Sequence, residues 1–265
     1  MFELDTRATA NRTLFYYAFS IVTLSQFNTS DISYTTPFFC EKTHFAAMTA
    51  PPTKISLDGR GIVCHVENSG RCREILVPGA EVILAHSDKP DRKTSYDLVS
   101  AYKGDMLINI DSQAPNAVYA EALSSGKIYG GSVLTKREAR HGDSRFDFYI
   151  EENDRKIFTE VKGVTLENNG TVLFPDAPTD RGVKHLRGLA HCISEGYGAS
   201  VVFVVQMSRA DHFSPNYEMH EEFGTALEEA VSAGVEVSAY TCEVNEYSLN
   251  LAHRIPVKFR DGLTL

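Results

Sequence analysis

The chain has 265 residues, of which 43% are hydrophobic and 23% charged, a composition typical of a globular protein and not of a disordered or fibrous one. Its formal net charge of −9 argues against binding to nucleic acid through overall positive charge, although a local basic strip is compatible with it. Five Cys in so long a chain argue against a disulfide framework and predict a cytoplasmic location.

Residues 1–52 differ in composition from the rest of the chain. They are rich in Phe, Tyr, Ser and Thr, contain Lys42 as their single Lys, and end near Pro51-Pro52. The apolar run 14–24 is shorter than the about 20 apolar residues that span a bilayer, so the sequence predicts no membrane partner. We treat residues 1–52 as a divergent N-terminal segment.

The pattern of residues 53–112 predicts a small all-β module. The runs 62–66 and 81–85 are β-prone, and turn signals such as Pro78-Gly79 separate such runs. Cys64 and Cys72 are possible zinc ligands. Structural zinc takes close pairs of ligands and no second pair follows, so buried thiols are the favoured interpretation.

Residues 113–265 alternate between helical and strand patterns. The predicted order is α-β-β-β-α-β-α-β, which is typical of a three-layer α/β domain. Thr179 or Asp180 can cap the second helix. The predicted elements are a helix beginning at Pro115, strands over 132–140, 145–151 and 156–163, a helix over 180–195, a strand over 200–207, a helix over 221–233 and a strand over 235–240.

A possible catalytic group lies on the second and third predicted strands. Hydrolysis of a phosphodiester with Mg²⁺ needs oxygen ligands for the metal and a cation that orients water. Glu160 and Lys162 are two residues apart and share a strand face, and an antiparallel hairpin would bring Asp147 beside them. The alternative is a structural ion pair at a strand end, since a bare acidic-x-Lys pattern also occurs at Asp91-Arg92-Lys93 and Asp154-Arg155-Lys156.

Other charged residues have weaker signals. Glu121, on the helix before the strands, is a third carboxylate, for which an exposed polar face is the simpler interpretation. The helix over 180–195 presents Arg181, Lys184 and Arg187 on its polar face. His185, next to Lys184, has the position of a surface or packing residue as readily as that of a base.

Several long segments in order resemble the sugar fermentation stimulation protein A family, SfsA. The resemblance covers about residues 57–245. The matching segments are Cys64-His65-Val66-Glu67-Asn68-Ser69-Gly70-Arg71, Ser144-Arg145-Phe146-Asp147-Phe148, Glu160-Val161-Lys162-Gly163-Val164-Thr165-Leu166, Phe174-Pro175-Asp176-Ala177-Pro178-Thr179 and Arg181-Gly182-Val183-Lys184-His185-Leu186.

The resemblance implies an N-terminal OB-like β-barrel, here residues 53–112, followed by a PD-(D/E)XK nuclease-like α/β domain, residues 113–265. It implies a Mg²⁺ site formed by Glu121, Asp147 and Glu160, with Asp147, Glu160 and Lys162 as catalytic residues. Family members are described as DNA-binding proteins linked to the regulation of sugar-utilisation genes. The residues expected to contact DNA are Arg71, Arg181, Lys184, His185 and Arg187.

Three hypotheses follow. The first is a Mg²⁺-dependent nuclease, the second a DNA-binding transcriptional regulator that retains the nuclease fold without cleavage, and the third a metabolic interaction protein.

The chain departs from the family at its start. Family members open with a barrel strand that contains an Arg-Phe pair, and residues 54–58 offer no such match. We therefore predict a partial barrel, to which residues 1–52 contribute no strand and for which they are dispensable.

Overall fold

The structure, a computed structural model, describes residues 34–35, 40–47, 53–57, 60–68, 70, 72–87, 92–131 and 133–265. The first described elements are all strands: β1 (Tyr34–Thr35), β2 (Cys40–Ala47), β3 (Thr53–Leu57), β4 (Arg60–Val66), β5 (Glu81–His86), β6 (Tyr96–Lys103) and β7 (Met106–Asn109). Helices and strands then alternate: α1 (Ala114–Ser124), β8 (Leu134–His141), β9 (Ser144–Glu152), β10 (Arg155–Val164), β11 (Leu166–Asn168), β12 (Thr171–Phe174), α2 (Asp180–Ser194), β13 (Gly198–Val205), β14 (His212–Pro215), α3 (Glu221–Ser232), β15 (Glu236–Val244) and β16 (Ser248–Ile255).

Six strands form the N-terminal barrel. Their order is β4-β3-β2-β5-β6-β7, and a parallel pairing of β4 with β6 joins the sheet to itself. Val82, Leu84 and Leu98 are buried inside it. The OB-like fold predicted for this part of the chain is confirmed.

Strand β2 contradicts the prediction that residues 1–52 contribute no strand to the barrel. It lies between β3 and β5, with His44 opposite Ser56 and Cys40 opposite Ala85. Ladder hydrogen bonds join backbone groups and need no particular side chain, so an unusual composition does not exclude pairing. The first described strand of the barrel is therefore β2, and β1 pairs with β16 in the other large sheet.

The C-terminal domain has three layers, as the sequence predicts. Its central sheet has the order β1-β16-β15-β13-β10-β9-β8. Helix α1 packs on β10 and β16, whereas α2 packs on β13, β10 and β9 and also against α3. β13 is buried along seven of its eight residues, as expected for a central strand with helices on both sides.

Helix α2 begins where the capping pattern predicts. The Thr179 hydroxyl accepts a hydrogen bond from the backbone N–H of Gly182 at 3.0 Å. Val183, Leu186 and Leu189 are buried against the sheet, so the opposite side of the helix is left for charged residues.

The barrel and the α/β domain share one hydrophobic core, in which Leu84 and Leu98 of the barrel join Phe203 and Phe213. Polar contacts cross the same junction. The buried side chain of Gln206 donates from Nε2 to Asn109 Oδ1 at 2.7 Å and to the Asp111 carbonyl oxygen at 3.0 Å.

Gly163, next to Lys162, also lies at this junction. A Cβ atom there would lie 2.5 Å from Gln206 Oε1 and 2.7 Å from Pro115 Cγ, so the position has no room for a side chain. The junction therefore packs directly against the end of β10.

Four cysteines are buried: Cys64, Cys72, Cys192 and Cys242. Burial raises the pKa of Cys64 to about 11 and that of Cys72 to about 12. The interpretation of Cys64 and Cys72 as buried thiols agrees with this arrangement. Among the described residues, no helix is long and apolar enough to span a membrane.

Candidate functional site

Strand β10 places two charged side chains on one face. Glu160 is 3% exposed, and Lys162 Nζ lies 2.5 Å from its Oε1 atom. The two-residue period of a strand brings them together, as the sequence predicts. A buried carboxylate needs such a partner, because burial without compensation is costly.

Helix α2 supplies a second partner for the same oxygen. His185 Nδ1 contacts Glu160 Oε1, and Arg181 Nε donates to His185 Nε2 at 3.4 Å. Arginine can only donate, so Nε2 is the acceptor and the ring proton is on Nδ1. His185 thus donates to Glu160 and fixes the position of Oε1.

Asp147 lies where the β9–β10 ladder ends. Regular pairing of these strands runs as far as Thr159 opposite Phe148. Beyond it, Asp147 Oδ2 accepts from the backbone N–H of Val161 at 2.8 Å, and Oδ1 accepts from Asn116 Nδ2 of α1 at 3.1 Å. Where the two strands cease to pair, the Asp147 carboxylate therefore accepts the hydrogen bond of the Val161 N–H group.

The two carboxylates differ in their electrostatic environment. Burial, and then the charge of Glu160, raise the pKa of Asp147 above its ordinary value. Burial alone would also raise the pKa of Glu160, but the hydrogen bond from His185 and the charge of Lys162 outweigh it and lower the pKa. Glu160 is therefore the stabilised anion, whereas the ionised form of Asp147 is disfavoured.

Two buried oxygen atoms at this site have no hydrogen-bond partner among the described residues, Glu160 Oε2 and Asn116 Oδ1. The amide orientation of Asn116 follows from its neighbour, since the Asp147 carboxylate can only accept and must face Nδ2. An unsatisfied buried polar atom costs about 1–3 kcal/mol. Carboxylate and amide oxygens are the ligands that a hard cation such as Mg²⁺ or Ca²⁺ takes.

Two family models match the chain. The model described as the sugar fermentation stimulation protein RE domain matches residues 113–248, and that of the N-terminal OB domain of the same family matches residues 52–110. The chain belongs to the sugar fermentation stimulation protein family.

Relatives in this family cover most of the chain. The sugar fermentation stimulation protein homolog of Clostridium beijerinckii is 51% identical over 203 residues, which are 77% of this chain and 90% of the relative. That of Desulfitobacterium hafniense is 49% identical over 209 residues, 79% of this chain and 91% of the relative. A solved structure of Pyrococcus furiosus SfsA in complex with Ca²⁺ has the same fold, with a TM-score of 0.76 at 23% identity, and the match covers 86% of this chain and 100% of that chain.

The structure does not assemble the three-carboxylate set that resemblance to sugar fermentation stimulation proteins implies. Among the described residues, no group of three or more His, Cys, Asp or Glu is arranged to hold a metal ion. Glu121 lies half-buried on α1, five residues after Asn116, which is about 140° around the helix. The two side chains therefore project from different sides of α1.

Asn116, which donates to Asp147, is a residue that the sequence does not indicate. The signal for it was weak. Asn116 follows Pro115 in the first turn of a helix, where a polar residue is common and predicts no particular contact. Only the packing of α1 against β10 shows that it faces Asp147.

The residues expected to contact DNA lie in different environments. Arg71 lies outside the described residues. Lys184 is exposed, and Arg187 Nη2 pairs with Glu222 Oε1 at 2.9 Å. Arg181 is exposed and contacts His185, whose own side chain is only 7% exposed. His185 therefore does not reach the surface on which it was expected, because its ring is held against Glu160.

Proposed function

We propose that this protein binds DNA and that its nuclease-like domain holds a divalent cation, Mg²⁺ in the cell, for phosphodiester hydrolysis. The observation that carries the proposal is the pair of unpartnered buried oxygens, Glu160 Oε2 and Asn116 Oδ1, beside Asp147. Membership of the family supports it. So does the Ca²⁺ in the solved Pyrococcus furiosus SfsA, since Ca²⁺ and Mg²⁺ both take oxygen ligands.

Each residue of the site has a role in this proposal. Asp147, Glu160 and Asn116 would hold the cation through oxygen atoms. A bound divalent cation supplies Lewis-acid stabilisation of the charge that develops on the phosphodiester. Lys162 orients the attacking water and adds positive charge beside the reacting phosphate. His185 holds Glu160 Oε1, which leaves Oε2 for the cation.

The rest of the chain supports a role on nucleic acid. OB-like barrels commonly bind nucleic-acid strands, and Lys184 presents a charge on the helix that carries His185. The free, buried thiols of Cys72, Cys192 and Cys242 agree with a reducing compartment, and we place the protein in the cytoplasm.

A second candidate is a DNA-binding regulator of sugar-utilisation genes that does not cleave. One observation favours it: Lys162 Nζ is paired with Glu160 at 2.5 Å, and among the described residues no group of three or more His, Cys, Asp or Glu is arranged to hold a metal ion. In that case the same residues form a structural polar network.

Calorimetric titration with Mg²⁺ and Mn²⁺ tests the cation site. Wild type should bind with a measurable heat at millimolar metal, and Asp147→Ala should abolish that heat. Asp154→Ala is the matched control, because Asp154 is exposed on the turn before β10 and begins another acidic-x-Lys triplet. Absence of binding by wild type would overturn the cation site and with it the hydrolytic function.

A cleavage assay then separates the two candidates. With plasmid and single-stranded DNA as substrates, wild type should cleave in Mg²⁺, Lys162→Ala should not, and the control Lys156→Ala should cleave normally. Metal binding without cleavage of either substrate would favour the regulator.

A further inference from the structure

Strand β8 is the open edge of the large sheet, with β9 as its neighbour on one side and no described strand on the other. Its first five residues, from Leu134 to Glu138, are all exposed, although side chains along a strand alternate between the two faces. Over this stretch the side chains on both faces are exposed, and no described strand pairs with the edge.

This edge is basic although the chain has a net charge of −9. Arg145, from the neighbouring β9, pairs with Glu138 at 2.8 Å, and the Arg137 guanidinium lies 5.3 Å from the centre of the Phe148 ring. The positive side chains of the hairpin, all exposed, are Lys136, Arg137, Arg140 and Arg145.

Two of these cations are uncompensated. Lys136 and Arg140 have no hydrogen-bond or ion-pair partner among the described residues. Arg140 is also directly opposite Arg145 in the ladder, and like charges in that position destabilise a hairpin. An anion bound there would relieve the repulsion.

The basic face of α2 differs in this respect. Arg187 is paired with Glu222, and Arg181 contacts His185. Arg181 and Lys184 have no ion-pair partner among the described residues, but no ladder holds them directly opposite each other, as it holds Arg140 and Arg145.

We propose that the basic edge, defined as Lys136, Arg137, Arg140 and Arg145, docks the phosphate backbone of duplex DNA. The inference rests on the proposed function and adds to it the surface that the substrate contacts. Arg145 precedes Asp147 by two residues on β9, a distance of about 7 Å. A backbone held on this edge would therefore lie beside the candidate cation site.

The chemistry of the edge favours a duplex over the other possible occupants. Single-strand binding sites stack bases on aromatic side chains, and the exposed residues of β8 include none. Edge-to-edge pairing with a second copy is disfavoured by the charged side chains along the strand. A phosphate backbone needs only cations in a row.

The test compares two double variants that remove the same charge. Lys136→Gln with Arg140→Gln neutralises the uncompensated cations of the basic edge. Arg254→Gln with Lys258→Gln is the control, because both residues are exposed and Arg254 lies on β16, five strands away in the sheet. Binding is measured by fluorescence anisotropy with a 20-base-pair duplex of random sequence, and with a single strand, over a range of salt concentrations.

The edge variant should raise the Kd for the duplex at least about fivefold and reduce the salt slope by about 2, since about one counterion is released per phosphate contact. The control should change neither. A charge-preserving variant, Lys136→Arg with Arg140→Lys, should bind as wild type does.

Equal binding by the edge variant and the control would overturn the inference and leave the proposed function intact. Loss of single-strand binding alone would overturn the choice of a duplex, and a change of oligomeric state would assign the edge to contacts between copies. Failure of wild type to bind any DNA would overturn the proposed function itself.

Discussion

His185 Nδ1 and Lys162 Nζ both contact the same carboxylate oxygen, Glu160 Oε1. The other oxygen, Oε2, is buried without a partner. One half of the carboxylate is thus fixed by α2 and β10, and the other half is free to bind a ligand.

Replacement of His185 by Ala should destabilise the protein by about 2–3 kcal/mol, because a hydrogen bond to a buried charge is lost. Urea unfolding at pH 7 measures the change. The control is His191→Ala on the same helix, whose side chain is 65% exposed and should change the stability by less than about 1 kcal/mol. Equal effects of the two variants would show that the contact with Glu160 adds nothing to stability.

Asp147→Asn should stabilise the metal-free protein at neutral pH. The folded-state pKa of Asp147 is raised by burial and by Glu160, so its ionised form is less favourable in the folded state than in the unfolded state. The resulting destabilisation of the folded state is fully present at pH values above the folded-state pKa. It disappears at pH values below 3.8, the ordinary pKa of an Asp side chain. Melting temperatures of the variant and wild type should therefore differ most near pH 7 and converge toward pH 3.5. A lower melting temperature for the variant at pH 7 would contradict this.

Gly163→Ala should destabilise the junction of the two domains by about 1–3 kcal/mol, because the new methyl group would overlap Pro115 and Gln206. The control is Gly61→Ala, where no atom lies within 4 Å of the added Cβ. Chemical unfolding of both variants gives the comparison. A tolerated Ala at position 163 would mean that α1 and the Gln206 loop can move apart.

Removal of β2 should severely destabilise the barrel, since it lies between β3 and β5. A chain that begins at Phe38 and a chain that begins at Thr53 differ by this strand. The shorter chain should melt at a clearly lower temperature. Equal melting temperatures would restore the prediction that residues 1–52 are dispensable.

Periodicity predicted the elements that have strong local signals. The Thr179 cap and the apolar spacing of Val183, Leu186 and Leu189 predict α2, and the run 201–205 predicts the central strand β13. The contact between Glu160 and Lys162 follows from the two-residue period of a strand.

Contacts between distant segments could not be predicted in this way. The pairing of β2 depends on backbone groups, the place of Asn116 depends on the rotation of α1, and the contact of His185 with Glu160 depends on how α2 packs on β10. None of these has a signature in local sequence.

Thermal unfolding with and without metal tests the central claim most directly, that Asp147, Glu160 and Asn116 hold a divalent cation. At ten times the Kd, Mg²⁺ should stabilise wild type by about 1.4 kcal/mol and raise the melting temperature by about 3 °C. Asp147→Ala should abolish the rise, and Asp154→Ala should retain it. A rise that survives in Asp147→Ala, or no rise in wild type at millimolar Mg²⁺, would contradict the account.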